Sequence, residues 1–404
     1  MSDRVWTPPS APLSAEWLET HLSAASAAIV ARDERTLCDE LAGVPGADLL
    51  LFGAGNLGRR TLAGLRRVGV EPLAFVDNSP ALQGTVISGK RVLAPATAVA
   101  EFGEDAVFVA TAWSPSRGHV HGQIFQALRK LGARRLVSFV PLYWHHAAEF
   151  LPYYSLDLPH RLYEYGDDVR EAYARLNDHQ SREQFLRQLS YLLSMMDTVD
   201  LPRGGQAQTY FPRDLVELGH REVFVDCGAY DGDTVESFLE ATSGRFDALV
   251  AFEPDPYAVE QLRTLVRRLP PGASGSIRVE QKAVGPAAGS LRFEGGGTPG
   301  SRLSETGSLT VECVTLDTEL GDVVPTFIKM DIEGAEEGAL LGSAETIRAH
   351  RPVLAICVYH LQSDLYRLPT LIARLCPDYS LFLRRQGGDG DLVCFAIPNE
   401  RLRH

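Results

Sequence analysis

One three-part phrase occurs twice in the chain and constrains the fold more than anything else in the sequence. "DLLLFGAGNLGRRTLAGL" (48–65) and "VFVDCGAYDGDTVESF" (223–238) each run from a short apolar stretch through a glycine turn into an amphipathic, helix-length stretch. A strand that hands over to a helix through glycines opens a βαβ unit and commits the chain to a parallel sheet. Two such openings in 404 residues predict two α/β domains, which the length favours independently.

After the first opening, "EPLAFVDNS", "DAVFVATA" and "HGQIFQALRKLGARRLVSFV" continue the alternation. They predict a Rossmann-like domain over 1–140, led in by a helical pattern at Leu18, Leu22, Ile29 and Leu37. Residues 141–220 break the alternation with Tyr-rich loops and "SREQFLRQLSYLLSMM", whose apolar spacing is helical, and are expected to form a connector. "QTYFPRDL" (208–215) sets aromatics just ahead of the second sheet, where packing between domains is the plainer expectation than a pocket floor.

The second domain, 221–404, offers strands at 223–227, 248–253, 277–280, 327–331 and 352–359, separated mostly by helical patterns, as in a doubly wound sheet. It ends differently from a dehydrogenase domain: "YSLFLRR" and "DLVCFAIP", joined by "QGGDG", predict an antiparallel hairpin that closes the parallel sheet. The glycine-rich stretch 285–316 reads as an inserted hairpin with a mobile tip.

Charge narrows the partners. Acidic residues outnumber basic ones by 52 to 39, a formal charge of −13, so no nucleic acid or anionic membrane surface is expected to bind. No apolar run approaches the roughly 20 residues of a membrane span, and the first residues lack the build of a signal peptide, so a cytoplasmic protein is expected. Six cysteines without a C-x-x-C pair read as buried free thiols. Nothing in the sequence sets the oligomeric state.

The two glycine turns differ in electrostatics. Gly53, Gly55 and Gly58 open a helix whose first turn carries Arg59 and Arg60, an arrangement that welcomes an anion. Asp77, at the end of the next strand, stands where an acid accepts from ribose hydroxyls, so NAD or a nucleotide sugar would fit. The competing reading gives these glycines only the tight turn and helix packing, and "DAVFVATAW" offers no hydride-transfer residue.

At the second turn Asp226, Asp231 and Asp233 crowd the place where a phosphate would sit, and like charges there repel a pyrophosphate. The turn calls for a cationic, hydroxyl-bearing ligand without phosphate. S-adenosylmethionine meets that requirement, leaving S-adenosylhomocysteine as product. Glu253, at the end of the second strand, supplies the acid for a ribose diol, and Gly228 lets backbone approach the ligand. Asp233 with Glu236 also reads as a capping box that does no more than start the helix.

"VFVDCGAYDGDT", "AFEPDP", "QKAVG", "TFIKMDIEGAE" and the strand ending "VYH" together resemble the FkbM-type methyltransferases, over roughly 222–398. Lys329 to Glu336 is the most specific element of the likeness, and "LNDHQSREQF" and "YFPRD" resemble the subset tied to sugar and polysaccharide modification, in which a Rossmann-like domain often comes first. The resemblance implies S-adenosylmethionine-dependent methylation, usually of a hydroxyl, on a small-molecule or glycan acceptor. On this chain the cofactor would lie along Asp226, Gly228, Ala229, Tyr230, Asp231, Gly232 and Thr234, with Glu253 and Pro254 beyond. Lys282 and Ala283 would flank the adenine, and Asp331 would be shared with the acceptor.

Catalytic candidates stand at strand ends, where open α/β sheets bind ligands. If the strand persists, Lys329, Asp331 and Glu333 share one face, and His360 ends the adjacent strand as the better general base by intrinsic pKa. Each has a plainer reading: a buried Lys–carboxylate pair, and a packing histidine. Oxygen ligation of magnesium by Asp331, Glu333 and Glu336 ranks below metal-free catalysis, because no second cluster completes the shell. Two rivals to the methyltransferase reading are an NAD- or nucleotide-sugar-dependent enzyme using the first domain and a catalytically silent two-domain binding protein.

Overall fold

The computed structural model describes residues 13–42, 48–103, 105–112, 120–194, 210–269, 277–294, 302–303, 309–386 and 391–403. The chain divides into two compact units, Met1–Gly166 with Leu186–Leu201, and Asp167–Phe185 with Pro202–His404. The stretch 141–220, expected as a connector, is therefore shared out between the units. Its aromatics explain the first share: Tyr143 stacks on Phe150 at 4.2 Å, and its hydroxyl lies 3.0 Å from that of Thr61.

The first unit holds a six-stranded sheet of β1 (Leu49–Phe52), β2 (Ala74–Val76), β3 (Val86–Ile87), β4 (Lys90–Leu93), β5 (Val107–Ala110) and β6 (Arg135–Ser138), in the order β3-β4-β2-β1-β5-β6. Every pairing but β3 with β4 is parallel. All residues of β1 and β5 are buried, as expected of central parallel strands covered on both faces.

In the second unit β7 (Val223–Cys227), β8 (Ala248–Phe252) and β9 (Ile277–Glu280) precede a small sheet of β10 (Ala283–Val284), β11 (Gly289–Glu294), β12 (Arg302–Leu303) and β13 (Leu309–Val314). Then come β14 (Phe327–Met330), β15 (Val353–Cys357), β16 (Tyr379–Gln386) and β17 (Asp391–Pro398). The main sheet runs β16-β17-β15-β14-β7-β8-β9, with β17 antiparallel to both neighbours. The closing hairpin is thus in place, though its "GGDG" turn lies outside the described residues. The insertion is more than a hairpin: β11 and β13 pair antiparallel, and β10 and β12 extend them to four strands. Its expected mobile tip also falls outside the described residues.

Strand order reverses between β7 and β14, which opens a crevice at their carboxyl ends. Beneath it Phe211 packs 5.4 Å from Phe224 and 5.2 Å from Phe327, ring centre to ring centre. This anchor fixes the segment ahead of the sheet and sets its neighbour Tyr210 beside β14. At the outer edge, Asn177 accepts the Leu381 N–H at 2.7 Å and gives its own N–H to the Leu381 carbonyl at 2.9 Å, covering part of the exposed ladder of β16.

Candidate active site

The turn after β7 is bent by three residues with positive φ: Gly228 (81°), Tyr230 (43°) and Gly232 (101°). Gly228 was expected to let a ligand come close. Its nearest neighbour is instead the chain itself, since a Cβ there would stand 1.9 Å from the Asp331 carbonyl oxygen. Gly232 caps the helix Asp233–Ala241 in the left-handed conformation, with its missing side chain aimed at Leu265. The capping box is not formed: Asp233 is the first helical residue, and its carboxylate accepts the Thr234 N–H at 2.7 Å, favourable at the positive end of the helix.

Glu253 braces this turn. One carboxylate oxygen accepts the Tyr230 N–H at 3.0 Å and the other the Asp255 N–H at 2.8 Å. Burial raises its pKa against the pull of those amides. Each oxygen keeps a lone pair, which is what a ribose diol requires. Ala229 and Thr234 are buried in the same turn, whereas Asp231 and Pro254 are half-buried beside it.

Asp226 does not face the crevice. It is wholly buried, with the Lys329 ammonium 3.0 Å from its Oδ1. Lys329 donates to the Gly228 carbonyl at 2.7 Å and lies 5.0 Å from the centre of the Tyr210 ring. Burial opposes the charge on Lys329, but Asp226 and Asp331 outweigh it and raise its pKa. The plainer reading of this lysine, a buried ion pair, is the observed one, and it supports the turn from below.

The strand stops at Met330, so alternation does not carry the face through to Glu333. Asp331 receives the Tyr210 hydroxyl on Oδ2 at 2.7 Å and the Tyr359 hydroxyl on Oδ1 at 3.4 Å. Glu333 returns to the same place by a left-handed step (φ 57°) and comes within 4.0 Å of His360 Nε2. Burial would push the Asp331 carboxyl up; His360, Lys329 and the Tyr210 hydroxyl together hold it well below the usual carboxylate range.

His360 is almost wholly buried, its Nε2 3.2 Å from Asp331 Oδ1 and its Nδ1 2.9 Å from Glu336 Oε1. Burial favours the neutral ring, yet the charges of Glu336 and Asp331 raise its pKa well above that of free histidine. That shift favours the charged ring while the two carboxylates stand bare beside it, which suits the base's role expected of His360 poorly. Glu336 accepts the Ile332 N–H at 2.8 Å, and Asp364 behind it accepts the Leu361 N–H at 2.7 Å. Burial beside Glu336 pushes Asp364 up to about 8.

Lys282 stands just ahead of the small sheet, its ammonium paired with Glu319 at 2.8 Å and Glu312 at 3.4 Å, and Ala283 is buried in β10. In the first unit Gly53 takes φ 115°, Gly58 packs against the Gly53 carbonyl, and a Cβ at Gly55 would meet open space. Asp77 accepts the Ala54 and Ser79 N–H groups, each at 2.8 Å. Tyr210 lies in the aromatic run for which packing was the plainer expectation than a pocket floor; Tyr359, within the "VYH" strand end, and Asp364 were not singled out as site residues.

A doubly wound sheet with one antiparallel strand and an acid-braced glycine turn at its reversal defines the Rossmann-like methyltransferase class. Residues 226–387 match the family model of the methyltransferase FkbM domain, so the chain carries an FkbM methyltransferase domain. The crystal structure of methyltransferase FkbM from Methylobacillus flagellatus KT shares the fold with a TM-score of 0.77, at 23% identity, over 94% of this chain and 99% of that one. Precorrin-6y C5,15-methyltransferase from Geobacter metallireducens GS-15 aligns over 46% of this chain and 84% of its own, with a TM-score of 0.30 and 10% identity, too low to say anything of function. No curated protein matches the sequence. Among the described residues no helix is long and apolar enough to cross a membrane.

Proposed function

We propose that the second unit binds S-adenosylmethionine at the Gly228 turn and methylates a hydroxyl of a sugar, glycan or related small molecule held at Asp331. The observation that carries this reading is Glu253: a buried carboxylate at the end of β8, fixed by two backbone amides, with a lone pair free on each oxygen. Such a group suits a ribose diol, and the acids Asp231 and Asp233 on the same turn suit a cation and oppose a pyrophosphate. S-adenosylmethionine supplies a methyl group already activated by its sulfonium.

The chain's task is then alignment, which accounts for most of the rate in a displacement of this kind. Asp331 accepts the acceptor's O–H and so turns an oxygen lone pair toward the methyl carbon. Its weak basicity is adequate, because the oxygen becomes strongly acidic as the new C–O bond forms; the proton then passes to the carboxylate and on to water. Tyr210 and His360 hold that carboxylate in position and in its charged form.

Calorimetry of the full chain against S-adenosylmethionine, S-adenosylhomocysteine, NAD and UDP-sugars tests the reading. Binding of the first two, lost in Glu253→Ala, is expected. Binding of NAD at this turn with the sulfonium compound excluded overturns it. The turn at Gly53, Gly55, Gly58 and Asp77 enters as a separate proposal, a nucleotide or nucleotide-sugar site, and the NAD and UDP-sugar titrations repeated with Asp77→Ala decide that one.

A further inference from the structure

We propose that Asp331, Glu336 and His360 form a binding site for one divalent first-row transition-metal ion. One ligand atom from each lies within 4.8 Å of the others. Two ligands about 2.1 Å from a common ion stand roughly 3 Å apart at right angles and about 4.2 Å apart across it. Nδ1 of His360 stands 2.9 Å from Glu336 Oε1 and Nε2 stands 3.2 Å from Asp331 Oδ1, each near the first of these values; the ion takes one of the two ring nitrogens, and the carboxylate beside the other turns to reach it.

Direction matters more than distance. A carboxylate that shares an ion with an imidazole stands to the side of the ring nitrogen's axis, whereas a hydrogen-bonded one stands in line with it. Both ring nitrogens of the buried His360 have a carboxylate oxygen close by, at 2.9 Å and 3.2 Å, yet neither meets it with the direction of a hydrogen bond. Glu336, with no exposed surface, gives Oε1 to the Ile332 N–H and leaves Oε2 without a partner. Buried carboxylates of this kind are ordinarily paired or bound to metal.

The charges agree. Asp331, Glu333 and Glu336 gather around one ring, with Asp364 behind them, and the one nearby ammonium, Lys329, sits against Asp226. An imidazolium leaves this group net negative and leaves Glu336 Oε2 without a donor; a divalent cation answers both. An imidazole with two carboxylates suits manganese, cobalt or zinc better than magnesium or calcium. Asp331 is the one ligand with an appreciably exposed side chain, at 24%, so the ion's open positions face its side of the crevice. There the ion would draw in the acceptor oxygen and acidify its hydroxyl. That role rests on the function proposed above; binding of the ion does not.

The test uses the full chain, stripped with a chelator, dialysed and titrated with MnCl2 while the electron paramagnetic resonance signal of free Mn²⁺ is followed. Parallel thermal melts contain MnCl2, ZnCl2 or MgCl2. One ion per chain and a higher melting temperature with Mn²⁺ or Zn²⁺ are expected. Asp331→Asn, Glu336→Gln and His360→Gln should each weaken binding by about tenfold or more, or abolish it. Circular dichroism checks the two buried variants, and if neither folds, Asp331→Asn decides alone. A wild-type chain that takes up no stoichiometric ion, or an Asp331→Asn chain that binds as tightly, overturns the proposal. Calorimetry of the stripped chain with S-adenosylmethionine separates the two readings: cofactor binding without ion binding removes only the metal site, and ion binding without cofactor binding removes only the methyltransferase reading.

Discussion

The two glycine turns of this chain are built alike and finished differently. In both, the acid after the second strand accepts one N–H from the turn and one from two residues further on: Asp77 from Ala54 and Ser79, Glu253 from Tyr230 and Asp255. In both, the residue after the neighbouring strand bonds to the last residue of the first, Thr111 N–H to Phe52 and Asp331 N–H to Cys227. The side chains at that shared position part company. Thr111 turns its hydroxyl inward to the carbonyls of Phe52 and Gly53, 3.0 Å from each, while Asp331 meets Tyr210, Tyr359 and His360. The glycine turn and its bracing acid are therefore scaffold common to both units. What distinguishes the two turns is the strand beside each.

If that is so, substitutions at matched positions must have unmatched effects. The largest belongs to Asp331→Asn, expected to cut turnover by about 10² to 10⁴-fold with little change in cofactor affinity, read as S-adenosylhomocysteine formed over a panel of hydroxylated acceptors; Thr111→Val should leave turnover unchanged. Next comes Lys329→Met, which strands the buried Asp226 carboxylate and should cost about 3–5 kcal/mol in urea unfolding. Adding Asp226→Asn should restore part of that loss, which would confirm the pair as its cause.

Alanine at the two glycines sharpens the contrast in packing. Both have positive φ, worth roughly 1–3 kcal/mol of strain, but a Cβ would meet Asp331 O at 1.9 Å from Gly228 against 3.0 Å to Thr111 O from Gly53. Gly228→Ala should therefore lower the melting temperature more. The smallest effect is one of pH. Burial raises the Glu253 pKa, so its carboxyl takes up a proton at a higher pH than an ordinary glutamate, near 4.3. Cofactor affinity by calorimetry should fall as pH drops from 7 toward 5, and Glu253→Gln should flatten that dependence.

Local pattern carried the architecture. Apolar runs, glycine turns and amphipathic stretches fix strand and helix within a few residues of themselves, so the doubly wound sheet and the closing hairpin could be read directly. Asp331, Glu333, Lys329 and His360 could be found because strand ends are where such sheets bind ligands. Their partners could not be found that way. Lys329 meets Asp226 through the pairing of β7 with β14, and Tyr210 reaches Asp331 because Phe211 is anchored in the core; both contacts join segments about 100 residues or more apart. Alternation also fails where a strand stops: nothing local says that β14 ends at Met330 and that Glu333 returns by a left-handed step.

The near-contact between Gly228 and the Asp331 carbonyl has one more consequence. The Lys329 ammonium tethers the Gly228 carbonyl, and the Asp331 amide hangs from Cys227, so the two loops are stitched at three points. Neither loop can shift far without breaking one of these bonds or carrying the other along, so the two share one position in the fold.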